Sequence, residues 1–179
     1  MNTRLLSLFL SILLFACNNN DKAPDVSGIK IQLQEQHFEE DFFAMDTLQL
    51  EASIAALDKK YPGFTTVFLT NILALMPQSE SQDLKDFIRV YQPFYKQYSA
   101  IFNEQNKQAK AIKTGLQYVK NYFPSYPLPT KLISFIGPVN SYGCILTKDA
   151  IAIGGQLFMG KDHPIYTSAE GMAMYPGFI

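Results

Sequence analysis

Histidine and cysteine are scarce in this 179-residue chain, with two of each, and that scarcity narrows the chemistry open to it. His37 and His163 stand in no metal-binding spacing such as His-Glu-x-x-His. His37 lies among carboxylates in "QHFEED", which a polar strand-to-helix junction explains, and His163 precedes Pro164 in a loop, where a turn role is expected. Glu39, Glu40 and Asp41 read as acids set at a helix start, where they serve its dipole, before they read as an acid–base pair. Gly154-Gly155 lacks the further glycines of a dinucleotide loop and the Lys-Ser/Thr of a phosphate loop. The sequence therefore offers no catalytic residue, no cofactor-binding residue and no metal ligand.

Charge and long apolar runs are also sparse. The formal net charge is −1, and no clustered basic run is present in the sequence, which argues against nucleic acid as a partner. The lysines of "NKQAKAIKTG" are spaced as a solvated helix face. Beyond the first sixteen residues no run suits a bilayer span; "FTTVFLTNILALM" is interrupted by Thr65, Thr66, Thr70 and Asn71. There is no internal repeat and no low-complexity block.

The N-terminus is rich in signal. Residues 1–16 form a short region carrying only Arg4, then the apolar run "LLSLFLSILLFA", too short for a permanent membrane helix and right for a signal-peptide core. Leu14-Phe15-Ala16-Cys17 matches a bacterial lipobox, in which a small residue precedes a cysteine that takes a diacylglycerol. Cys17 is thus the expected lipidation site and the first residue of the mature chain. Each buried lipid methylene contributes about 0.8 kcal/mol, so several acyl chains attach a protein stably to a membrane while its polypeptide stays in water. Residues 17–28, containing "NNNDKAPDVSG", read as a polar tether. Residues 29–179 then form one domain. If Cys17 is acylated, Cys144 in "GCILT" has no intramolecular partner and is expected to be a buried free thiol, without a histidine placed to activate it.

Periodicity predicts an α+β fold, mostly helical, with an N-terminal strand and a small antiparallel β-sheet near the C-terminus. Ile29, Ile31 and Leu33 alternate with polar residues as in a half-buried strand. Leu50, Ile54, Leu57 and Tyr61 share a helical face, with Asp46 or Thr47 as cap and Pro62-Gly63 as stop. Phe64, Phe68 and Ile72 form a second stripe, ended by Pro77, and Ser79 or Ser81 caps the helix that follows. Phe87, Tyr91, Phe94, Tyr98 and Phe102 recur at helical spacing, with Pro93 kinking one helix or opening another, and the stripe is assigned to the core before a ligand groove. Ala109, Ile112, Leu116, Val119 and Phe123 make the last helical stripe. "KLISFIGP", "YGCILT" and "AIAIGG" read as antiparallel strands, the last two joined through the tight turn "TKDA".

Together the lipobox, "IKIQLQEQHFEEDFFAMDT", "KYPGFTTVFLTNIL", "VKNYFPSYPLPTKLISFIGPVNSYGCIL" and "AIAIGGQLFMGKDHPIY" resemble the gliding-motility-associated lipoprotein GldB family of the Bacteroidetes. The resemblance implies a cell-envelope lipoprotein, anchored in the inner or outer membrane with its domain facing the periplasm. Its implied partners are the membrane, through the lipid, and other envelope proteins of gliding motility and the linked secretion machinery. Members of the family continue past "MAMYPGFI", so the chain is expected to be an N-terminal portion. A distant likeness of the family to predicted zinc peptidases supplies the alternative, a peptidase-like protein whose catalytic half is missing or degenerate. No catalytic residue is carried across by either implication.

Overall fold

A computed structural model describes residues 23–76, 78, 80–101, 106–160 and 162–167. Four strands, β1 (Gln34–His37), β2 (Lys131–Phe135), β3 (Cys144–Leu146) and β4 (Ala150–Gly154), form one sheet in the order β1-β2-β4-β3. Thr147 and Ala150 close the β3–β4 hairpin as the turn residues predict, the Thr147 N–H donating to Ala150 O at 2.9 Å. The N-terminal strand, helical middle and C-terminal antiparallel pair are thus those expected of the α+β fold.

The pairing of β2 with β4 differs from the antiparallel arrangement expected of the C-terminal strands. β1 runs parallel to β2, with His37 opposite Ser134, and β2 runs parallel to β4. The reason is topological. The chain leaves the carboxyl end of β2, returns as β3, and turns tightly into β4, which therefore points the same way as β2 and inserts beside it. The first strand also begins later than the alternation suggested. Residues 29–33 precede it and are held instead by the Gln117 amide, which donates to Ile29 O at 2.7 Å. Leu33 is buried, and so is Val26, near the end of the polar stretch.

The helices follow their apolar stripes. Between β1 and β2 lie α1 (Phe38–Phe43), α2 (Leu50–Lys60), α3 (Phe64–Val67), α4 (Glu80–Ile101) and α5 (Asn106–Tyr122); α6 (Pro164–Thr167) follows the sheet. Glu39, Glu40 and Asp41 occupy the first turn of α1, where carboxylates oppose the positive end of the helix dipole. Asp46 does not cap α2: its Oδ1 accepts from the Leu48 N–H at 2.8 Å, and the residue preceding the helix is Gln49. Gly63 adopts a φ of 79°, open to glycine, and lets α3 start directly after α2. A π-helical turn at Phe68–Ile72 extends α3. Helix α4 passes through Pro93 without opening a second helix. Ser81 lies inside it, while Pro77, Ser79 and Phe102 are outside the described residues. On α5, Ala109 and Leu116 are buried, but Phe123, just past its end, is 62% exposed and falls off the stripe.

These stripes meet in an aromatic core on one sheet face. The Phe38 ring lies 4.7 Å from Phe68, 4.9 Å from Phe64 and 5.1 Å from Tyr61, and Phe135 of β2 closes the group 5.8 Å from Phe64. Such pairs add about 0.5–1.5 kcal/mol beyond the area they bury. Phe94 and Tyr98 are buried and Phe87 and Tyr91 pack against the same core, so the α4 stripe is core and not groove. On the edge strand β3, Ile145 pairs with Ala152 and packs on the core, whereas Cys144 is exposed. The expected buried thiol is corrected on this point: strand alternation turns neighbours of Ile145 to the opposite face.

Candidate functional site

A polar cluster sits where β1 becomes α1. Parallel pairing sets His37 beside Ser134, and the first turn of α1 swings Glu39 between them. Glu39 is 3% exposed. Its Oε1 accepts from the Ser134 hydroxyl at 2.9 Å and lies 3.5 Å from His37 Nδ1, while Oε2 has no hydrogen-bond partner among the described residues. Ser134 Oγ is also 3.3 Å from His37 Nδ1. The Glu39 carboxylate, accepting at His37, raises the imidazole above its ordinary value against an opposing effect of burial, and the charges of Glu39, Glu40 and Glu35 add to the rise.

A second group adjoins it. The Tyr61 hydroxyl lies 3.0 Å from His37 O and is hydrogen-bonded to Asp41, which also pairs with Lys60 at 2.6 Å. Burial pushes the Tyr61 phenol up, and the neighbouring Asp41 carboxylate pushes it further. For Asp41 burial acts upward, but the Lys60 ammonium and Tyr61 hydroxyl outweigh it and hold the carboxyl below its ordinary range.

The arrangement is a fastener in its chemistry. In a Ser-His-Asp arrangement the imidazole stands between hydroxyl and acid and takes the hydroxyl proton. Here the Ser134 hydroxyl bonds the carboxylate directly, so its proton is already committed to Glu39. The result ties the first turn of α1 to β2. Among the described residues no three His, Cys, Asp or Glu side chains could together hold a metal ion.

At the carboxyl end of β4, fully buried Gln156 accepts from the Gly137 N–H at 3.0 Å and donates to Tyr142 O at 3.1 Å. The Tyr166 hydroxyl donates to Gln156 O at 2.6 Å and accepts from the Met159 N–H. His163 stands in the turn expected of it, its N–H donating to Gly160 O at 3.0 Å, with its ring edge-on to Phe94. A shallow cleft of about 180 Å³ opens at the amino end of β2 and β4, lined by Gln36, Gly63, Lys131 and Asp149 among others.

The sequence marks His37 as a junction residue. Ser134 and Gln156 carry a fainter signal, each a polar residue within an apolar run, "KLISF" and "IGGQLFMG", the pattern of a buried side chain with fixed partners. Cys17, the expected lipidation site, lies outside the described residues. None of the described helices is long and apolar enough to cross a membrane.

Residues 19–176 match the family model described as gliding motility protein GldB. No curated protein and no solved structure matches the chain.

Proposed function

The chain belongs to the gliding motility protein GldB family, and from that membership we propose a cell-envelope lipoprotein that acts by protein–protein contact. In this reading residues 1–16 are removed, lipid on Cys17 holds the protein to the inner or outer membrane, and residues 17–28 tether a domain, 29–179, in the periplasm. Its partners are other envelope proteins of gliding motility and the linked secretion machinery; nucleic acid is not among them. The observation that carries the proposal is the family match, running from residue 19 to residue 176, directly behind the lipobox Leu14–Cys17. The polar cluster at the β1–α1 junction joins the first turn of α1 to β2 and to α2 through its own hydrogen bonds and ion pair, a structural role compatible with this reading. No observation favours the peptidase-related alternative.

Metabolic labelling with an alkynyl fatty acid tests the anchor. The wild-type chain is expected to take up label and remain with membranes, and Cys17→Ala to lose both. Label persisting in Cys17→Ala would refute the assignment. Metal analysis of the purified protein tests the non-enzymatic part, and one tightly held zinc per chain would overturn it.

A further inference from the structure

The connection from α5 to β2 carries an exposed aromatic knob. In "NYFPSYP", Tyr122, Phe123 and Tyr126 are 60%, 62% and 51% exposed, and Asn121 to Pro127 are exposed throughout. The knob is an ordered turn: the Tyr126 N–H donates to Phe123 O at 3.0 Å, and exposed Lys120 donates to Pro124 O at 2.6 Å.

Two contacts bring the start of the folded chain to the same end of the molecule. Gln117, little more than one helical turn before Tyr122, binds Ile29 O at 2.7 Å, and the Gln34 N–H donates to Thr130 O at 2.8 Å where β1 and β2 begin side by side. Ile29, at the near end of the stretch that leads back to Cys17, therefore lies close to the knob. Nine positions separate Cys17 from Val26, which is buried within the 17–28 tether, so the free part of the tether spans about 30 Å at most.

We propose that Tyr122, Phe123 and Tyr126 form a membrane-docking surface that seats in the lipid headgroup region and orients the domain on the bilayer. The inference rests on the lipid-anchored reading above. Tyrosine suits that depth because its ring is apolar and its hydroxyl stays wet. A short tether gives the knob an effective concentration at the bilayer in the millimolar range, so even a weak intrinsic affinity keeps it seated.

The chain contains no tryptophan, so Phe123→Trp supplies a single reporter in the full lipidated protein, reconstituted into phosphatidylethanolamine–phosphatidylglycerol vesicles. Its emission is expected to shift to the blue and to be quenched by brominated lipid. Phe158→Trp, half-exposed beyond the carboxyl end of β4 and so at the opposite end of the sheet, is expected to show neither change. Mass spectrometry of the N-terminal peptide reads the lipid on Cys17 separately. Lipid present with an unquenched indole in the Phe123→Trp protein overturns the inference alone, and a blue shift without quenching overturns it in favour of a protein contact. Absence of the lipid overturns the anchored reading and the inference together.

Discussion

Ser134 and Glu39, 95 positions apart, meet in a 2.9 Å hydrogen bond that fixes the first turn of α1 against β2. The bond supplies the carboxylate with its one hydroxyl donor at a site 3% exposed, and the other carboxylate oxygen has no partner among the described residues. Removing a hydrogen bond to a charged buried group costs about 1.5–3 kcal/mol. Ser134→Ala is accordingly expected to lower the urea midpoint by that stability equivalent, and Glu39→Gln, which keeps an acceptor for Ser134, to cost less. A Ser134→Ala midpoint equal to wild type would remove the fastener role.

The same carboxylate makes stability depend on pH through His37. The folded pKa of His37 is raised, chiefly by its contact with Glu39. Protonation is therefore favoured by folding: the contribution is fully present below the unfolded value of about 6.5 and is lost as pH rises through the higher folded value. Unfolding free energy measured across that window is expected to fall more in wild type than in His37→Gln, and Glu39→Gln should flatten the difference. Identical slopes in wild type and His37→Gln would rule the linkage out.

Most elements were legible because their signals are local. The stripe Phe64, Phe68, Ile72 and the turn Thr147–Ala150 depend on residues within a few positions of each other, and both appear as read. What sequence did not disclose depends on distant partners. Ile29, Ile31 and Leu33 alternate as a strand should, yet the strand forms over Gln34–His37, where Lys131–Ser134 is available to pair. Phe123 continues the α5 period, but the core does not extend as far as the helix end. For the polar cluster, "QHFEED" revealed the helix start and its acids, while Ser134 could be joined to them only by the parallel register.

Gly155 shows a constraint of the same distant kind. A Cβ at this position would overlap the ring of buried Tyr98, so any side chain here forces that ring or the end of β4 to move. Overpacking costs about 1–3 kcal/mol, occasionally more, and a rigid aromatic neighbour puts Gly155→Ala at the upper end. In a Tyr98→Leu background the same substitution is expected to cost less, a coupling that a double-mutant cycle in urea reads directly. Additive effects of the two substitutions would show that the ring does not set the constraint.

Cys144 supplies a test of which way β3 faces. Ile145 turns to the core beside Ala152, which leaves Cys144 exposed on the edge strand. Partial burial nevertheless raises its thiol pKa, so less of it is the reactive thiolate at neutral pH. With Cys17 acylated, native protein is expected to yield one equivalent of thiol to a disulfide reagent, more slowly than a free cysteine and faster as pH rises. Cys144→Ser should change stability by no more than about 0.5 kcal/mol, as for a surface substitution. A thiol that reacts only after denaturation would reverse the assigned faces of β3, because strand alternation would then place Ile145 outside.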